Sequence, residues 1–272
     1  MARPDSTSAP HFTGSFFCLS RVLWVASLVL LAAVPATIAD WSIVSATGLG
    51  EPAPGMEIIE THCVNGTQTA RVTALCFNDK NHTLRVIDSP SPGSATLANT
   101  LRNAKVLGGV NGGYFHEDFR PVGLVISDGK TLNGFERAKL LSGVVGVKSD
   151  GHVSILRSGD YDSAKFQLHQ AIQCGPMLVE DGHAVAGLNG DRIARRTVVA
   201  KGMGGQAALV YISSVSLADA ARILALPSIL DTWKPQNALN LDGGSSSGLW
   251  ACNGVSLSEI ARVRNFLAIV PR

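Results

Sequence analysis

From Glu57 onward apolar and polar residues alternate along the chain. EIIETHCV, TARVTALCFN and HTLRVIDS carry the two-residue period of strands with one buried face. Asn65-Gly66 falls between the first two and predicts a tight turn, because Gly supplies the positive φ of a short hairpin loop. Three Asp-Gly pairs repeat that signal. Asp128-Gly129 follows VGLVIS, Asp150-Gly151 joins GVVGVKS to HVSILRS, and Asp181-Gly182 joins PMLVE to HAVAG. TVVAKG and AALVYIS read as a further strand pair around Gly204-Gly205, and ALNLD and FLAIV as short buried strands.

Helical spacing is rarer. Pro90 to Gly93 breaks the strand pattern, and Ser94 is expected to cap a short helix over SATLANTLRN. Ser216 and Asp219 form a capping-box-like start, Leu217, Ala220, Ala221 and Leu224 share one face, and Pro227 marks the end. Residues 40–56, rich in Gly, Pro and Ala, read as an extended entry segment. The pattern predicts an α+β domain: strand-rich, a mostly antiparallel or mixed sheet, and a few packed helices rather than alternating βαβ units. No repeat of fixed period is present.

The N-terminus has a different texture. Arg3 and Arg21 precede an apolar run from Val22 to Val34, and small residues follow at Ala36 and Ala39. These are the parts of a secretory signal, which predicts a signal peptide over 1–39, a domain over 40–272 and a secreted or periplasmic location. An uncleaved anchor is the alternative. The run is short for a span of about 20 residues, so no membrane span is expected after signal removal. Cys18 would leave with the signal. Cys63, Cys76, Cys174 and Cys252 remain, an even number that suggests disulfides in an exported chain. Cys63 and Cys76 flank one hairpin and are expected to pair, leaving Cys174 with Cys252; free buried thiols are the alternative. Their spacing fits no zinc site.

Of the 272 residues 46% are hydrophobic and 16% charged, enough to bury a core and too apolar for disorder. The net charge of +2 comes with no basic run interleaved with aromatics, which argues against a nucleic-acid partner.

Two glycine-rich strand ends stand out as candidate chemistry. Val110, Asn111, Gly112, Gly113, Tyr114 and Phe115 form one; Asn240, Leu241, Asp242, Gly243, Gly244, Ser245, Ser246 and Ser247 form the other. Paired glycines let a backbone approach a ligand and turn its N–H groups toward an anion. A tight turn with a polar cap is the plain alternative for each. Gly244 to Gly248 also fits G-x-S-x-G, but no Asp or His follows Ser246 and GLWACNGV does not read as a helix, so a serine hydrolase is rejected. No phosphate loop and no H-E-x-x-H is present, and the seven histidines, His116 and His183 among them, are scattered.

VNGGYF and LDGGSSS resemble the two signature segments of the phosphodiester glycosidase family. Gln173-Cys174-Gly175-Pro176 resembles that family's Q-x-G-P strand, and Arg195-Arg196-Thr197 its R-T segment. The four matches keep the family's order across residues 110–248. The resemblance implies hydrolysis of a bond between a sugar anomeric carbon and a phosphate, with a GlcNAc-1-phosphodiester-like linkage in an envelope or extracellular glycan as substrate. Phosphate leaves readily, so anion binding, water activation and charge stabilisation are the main demands. Arg196 occupies the matched R-T position and is expected to grip phosphate through its fork. Arg120 is a second candidate, and Arg195 is read as solvent-facing. Asp242 is expected to act as base or charge stabiliser, with an Asx-type cap as its alternative. Asn111 is assigned to sugar hydroxyls, and Gly112, Gly113, Gly175, Gly243, Gly244, Ser245 and Ser246 to substrate binding. Tyr114 is either a platform beneath the sugar or a core filler. Glu117, Asp118 and Glu136 are weak candidates for a partner carboxylate. No cofactor is expected, and the sequence leaves a divalent metal open. Two competing readings remain: a metal-assisted phosphodiesterase cutting P–O, and a non-catalytic envelope protein that binds polysaccharide.

Overall fold

The computed structural model describes residues 40–90 and 96–272; the signal segment, Cys18 and the Ser94 cap lie outside the described residues. In chain order, the first elements are β1 (Ser42–Gly50), β2 (Met56–Asn65), β3 (Gln68–Asn78), β4 (His82–Asp88), α1 (Leu97–Asn103) and β5 (Gly108–Asn111). Then come β6 (Val125–Ser127), β7 (Lys130–Asn133), β8 (Gly143–Lys148), β9 (Val153–Arg157), β10 (Leu168–Cys174), β11 (Met177–Glu180) and β12 (His183–Ala184). The last are β13 (Ala194–Lys201), β14 (Gln206–Val215), α2 (Leu217–Leu224), β15 (Asn237–Asn240), β16 (Leu249–Ala251), β17 (Ser256–Leu257) and β18 (Asn265–Pro271).

They form three sheets, and the described strand pairs are antiparallel. Eight strands run β1-β2-β3-β14-β13-β15-β11-β12; two sheets of five run β7-β6-β10-β8-β9 and β17-β16-β5-β18-β4. The expected strand-rich α+β fold is what forms. The turn residues explain the hairpins. Asn65 pairs with Gln68 across a two-residue loop in which Gly66 takes φ 58°. Asp128 and Gly129 both take positive φ (49° and 78°), as do Asp181 and Gly182 (48° and 77°).

One face of the large sheet, through Val199, Leu209 and Leu239, packs on Val110, Val145, Ile172 and Leu267 of the two smaller sheets. Its other face, through Val198, Val210 and Ile212, takes the apolar side of α2. Strands β13 and β14 are therefore covered on both faces, which is why their sequences are continuous apolar runs. Ser216 caps α2, accepting from the Asp219 N–H at 3.0 Å and donating to its carboxylate at 2.6 Å. Thr96 caps α1 through the Asn99 N–H at 3.3 Å. The entry segment is more ordered than its composition suggests, since β1 adds to the sheet edge beside β2. Among the described residues no helix is long and apolar enough to cross a membrane.

The expected disulfides do not form, and all four described cysteines are free. Cys63 sits opposite Ala70, whereas Cys76 sits opposite Glu57. Six ladder positions, about 20 Å at roughly 3.3 Å per residue, separate them along the hairpin, far beyond disulfide reach. Flanking a hairpin is not facing across it. Cys174 is sealed in the core, while Cys252 is exposed with its Sγ on the Pro52 carbonyl at 3.3 Å. Burial pushes the Cys63 thiol up to about 11 and Cys174 to about 12, leaving both protonated and unreactive.

Candidate active site

The segments singled out in the sequence come together at one end of the sheets. Backbone hydrogen bonds stitch them: Asp242 N–H to the Gly112 carbonyl (3.0 Å), Leu241 N–H to Thr197 (2.8 Å) and Asn240 N–H to Pro176 (3.0 Å). The end of β15 is thus held between β5, the β10–β11 connection and the start of β13. Above it opens a cleft of about 370 Å³ lined by Tyr114, Leu140, Asn189, Arg192, Arg196, Asn240, Asp242, Gly243 and Gly244, among others.

The charges in this cleft are sparsely matched. Asp242 is the sole carboxylate among its described lining residues, and neither it nor Arg192 nor Arg196 makes a direct ion pair. Burial is the main cause raising the Asp242 carboxyl above the usual range; the Ser246 hydroxyl, the Gly243 N–H and the Arg192 charge oppose it. Arg196 is only 6% exposed. Its Nε and Nη2 are tied to the carbonyls of Val215 (3.1 Å) and Arg192 (2.6 Å). Nη1 points toward Gly243, 3.9 Å from where a Cβ there would sit. Burial lowers the guanidinium from its ordinary value and the Arg192 charge acts the same way.

Tyr114 and Asn240 brace the floor. The Tyr114 hydroxyl donates to the Gly175 carbonyl, and Asn240 Nδ2 donates to that carbonyl (2.9 Å), to the Tyr114 oxygen (3.2 Å) and to the Leu241 carbonyl (2.6 Å). Burial, Cys174 and Asp242 raise the Tyr114 phenol and keep it neutral. Gly175 has no room for a side chain, because a Cβ would lie 2.1 Å from the Leu140 carbonyl.

The structure divides the remaining expected site residues. Asn111 is fully buried: it donates to the Asp242 carbonyl (2.7 Å) and accepts from Thr197 Oγ1 (2.7 Å) and the Gly248 N–H (3.2 Å). It holds the cleft together from beneath, with no face toward a sugar. Gly112 and Gly113 are buried too, and their N–H groups go to the Asn265 backbone and side-chain oxygens (both 2.8 Å) rather than to an anion. Gly243 and Gly244 do line the cleft, Gly244 with φ +66°. Ser246 is buried beneath Asp242, in a short 3₁₀ turn that runs into β16, a strand. Ser245 is exposed outside the lining, its carbonyl taken by Ile260, Ala261 and Arg195. Arg120 is exposed and paired with Asp118 at 2.6 Å, away from the cleft, as are Glu117 and Glu136.

Three residues have roles that the sequence reading did not assign. Arg195 does not face solvent idly; it clamps the Asp242 loop through the carbonyls of Gly244 (3.0 Å), Ser245 (3.2 Å) and Ser258 (3.1 Å). Arg192 reaches the cleft because its loop is fixed: Asn189 Oδ1 accepts from the Arg192 N–H (2.9 Å), and the Asn189 carbonyl accepts from Ala218 at the start of α2 (3.1 Å). Asn240 is the third. The signal for Arg192 was three arginines within five residues in a chain poor in charge. Among the described residues no group of three or more His, Cys, Asp or Glu is placed to hold a metal ion.

Comparison with known proteins supports the grouping. No curated protein sequence matches the chain. A Synechocystis protein described as hypothetical shares the fold at TM-score 0.65 and 17% identity, over 81% of this chain; the chain spans 63% of that protein's length. The catalytic domain of zebrafish N-acetylglucosamine-1-phosphodiester alpha-N-acetylglucosaminidase, auto-inhibited by its pro-peptide, gives 0.57 at 18% identity over 88% of this chain and 85% of that one. A putative exported protein of Burkholderia pseudomallei gives 0.54 at 13%, over 76% and 75%. The family model for phosphodiester glycosidases matches residues 104–270, which takes in the four site segments and more than half of the sequence. The chain belongs to the phosphodiester glycosidase family.

Proposed function

We propose that the chain hydrolyses the glycosidic C–O bond of a sugar-1-phosphate diester, a GlcNAc-1-phosphodiester-like linkage in an envelope or extracellular glycan, and does so outside the cytoplasm. The observation that carries this reading is the Arg196 guanidinium: almost buried, without a carboxylate partner, and facing the same cleft as Arg192 and Asp242. A desolvated cation with no counter-ion calls for an anionic ligand. A phosphodiester carries one negative charge and two free oxygens, a match for Nη1 of Arg196 and the Arg192 fork.

With phosphate held there, Asp242 is the carboxylate in the same cleft that serves the anomeric carbon in this reading. Water attacks that carbon, the C–O bond breaks with its electron pair passing to the phosphate oxygen, and Asp242 takes the water proton. Phosphate needs no strong general acid to leave, which suits a cleft with one carboxylate. The raised Asp242 pKa makes it a better base than an exposed aspartate. Ser246 beneath and the Arg195 clamp behind hold the carboxylate in place.

The test is incubation with a GlcNAc-1-phosphodiester in oxygen-18 water. Label in the released sugar supports C–O cleavage. Label in the phosphate would establish a phosphodiesterase instead, and binding without turnover would leave a polysaccharide-binding protein.

A further inference from the structure

The residues flanking Leu140 in the chain line a second depression, of about 350 Å³. The two share one wall: Leu140 lines the cleft, while Lys139 and Leu141, its chain neighbours, line the depression. Leu140 itself is 53% exposed, an apolar side chain at the cleft whose chain neighbours belong to the depression.

The second depression has the chemistry of a site for a charged sugar. Phe135 supplies an aromatic wall, and the ring is fixed: it stacks on Tyr161 at 5.3 Å and 28°, and Tyr161 stacks on Phe166 at 6.5 Å and 21°. A rigid ring face suits the apolar C–H face of a pyranose. Three cations surround it, Arg137, Lys139 and Arg157. Arg157 is paired with Glu180, but Arg137 and Lys139 make no ion pair among the described residues. Glu136 also lines the depression, with its Oε1 held by the Gly123 N–H (2.9 Å) and Asn133 Nδ2 (3.3 Å), and offsets one of these charges. Three cations against Glu136 and the Arg157-bound Glu180 leave one positive charge over beside this depression.

We propose that this depression is a second glycan subsite, one that takes a sugar carrying its own anionic group, so that the substrate is a polyanionic chain lying across Leu140. The inference rests on the glycosidase reading only for the role of the first cleft. Exposed cations that steer and hold a repeating anion act through combined occupancy, so a chain filling both sites binds more tightly than a single unit.

Calorimetry on protein carrying Asp242→Asn separates the two ideas. The probes are a tetramer of N-acetylglucosamine joined by phosphodiesters, the methyl diester of N-acetylglucosamine 1-phosphate, and neutral chitotetraose. The tetramer is expected to bind about tenfold or more tighter than the methyl diester. Adding Arg137→Gln with Lys139→Gln should remove most of that advantage and leave methyl diester binding unchanged. Chitotetraose should bind weakly and be indifferent to the pair. A tetramer that does not bind, or whose affinity survives the double substitution, overturns the subsite. Turnover of the methyl diester by the wild-type protein is read separately. If it fails while tetramer binding still depends on Arg137 and Lys139, the glycosidase reading falls and the subsite stands.

Discussion

Asn111-Gly112-Gly113 and Asp242-Gly243-Gly244 are nearly the same word written twice, and the fold uses them for different purposes. Both end a strand, and the Asp242 N–H to Gly112 carbonyl bond joins them. Yet the first is packed shut. A Cβ on Gly112 would lie 2.0 Å from Asn265 Oδ1, and one on Gly113 would lie 2.8 Å from Ile172 Cγ2. The second opens to the cleft, where a Cβ on Gly244 would meet nothing within 4 Å. A glycine pair reports that a side chain is unwelcome; it does not say whether ligand or protein is the reason. Asn111 and Asp242 diverge likewise, one a buried brace and the other a carboxylate facing the cleft.

Two isosteric exchanges break that comparison most sharply. Asp242→Asn should cut turnover by about 10²–10⁴-fold, the usual worth of acid–base help, with the fold intact. The mirror exchange, Asn111→Asp, should act on stability. It replaces the donor to the Asp242 carbonyl with a carboxylate oxygen facing that carbonyl, a buried charge with no cationic partner, costing on the order of 3–5 kcal/mol. Turnover assays and thermal melts on both variants decide it. Near-normal turnover in Asp242→Asn would reduce Asp242 to a turn cap.

Arg196→Lys comes next. Lys keeps the charge but has no fork to reach two carbonyls and a phosphate together. We expect KM to rise by about 10–100-fold, the worth of one or two charge-assisted hydrogen bonds, and unchanged kinetics would make Arg196 structural.

The glycines should differ in how they can be repaired. Gly112→Ala overpacks a buried contact and should cost about 1–3 kcal/mol. Gly244→Ala forces a left-handed residue and should cost about 1–2 kcal/mol. Asn tolerates that conformation, so Gly244→Asn should recover part of the loss, while Gly112→Asn should be worse than Ala. Urea melts of the four variants test the pattern. Recovery by Asn at position 112 would mean the Asn265 contact is not what demands glycine there.

How much of this was legible in the sequence follows the range of the interactions. The hairpins at Asn65-Gly66, Asp128-Gly129 and Asp181-Gly182 and the capping box at Ser216 are local, and a few residues of text suffice to see them. Four motifs in family order located the cleft. Which side of Asn111 faces what depends on Thr197, Asp242 and Gly248, residues far away in sequence that only the folded sheets bring near. The cysteines failed for the same reason: pairing depends on register, and the hairpin register places Cys63 and Cys76 six steps apart. Arg192 belongs to a loop whose position is set by Asn189 and α2, with no motif to announce it.

The smallest effect concerns Asp242 and pH, and its sign follows from burial. Its folded-state pKa is raised, so the native protein holds that proton more tightly than the unfolded chain does. The group therefore favours folding most at pH values below the ordinary aspartate range. That contribution is lost as pH rises through the raised native value, leaving a buried charge at neutral pH. Asn cannot ionise, so Asp242→Asn should melt slightly higher than the wild type at pH 7. The difference should shrink and vanish as pH falls to about 3, below the ordinary aspartate pKa of roughly 3.9. The activity of the wild type should show the other face of the same proton, with turnover falling on the acid side at a pH above the usual carboxylate range. Differential melts of the two proteins from pH 3 to pH 7 check the stability half. A lower melting temperature for Asp242→Asn at neutral pH would show that the Ser246 hydroxyl and the Gly243 N–H stabilise the ionised carboxylate by more than burial costs it. Asp242 would then lie closer to the closed, fully satisfied state of Asn111 than to the desolvated base with a raised pKa that the cleft chemistry requires.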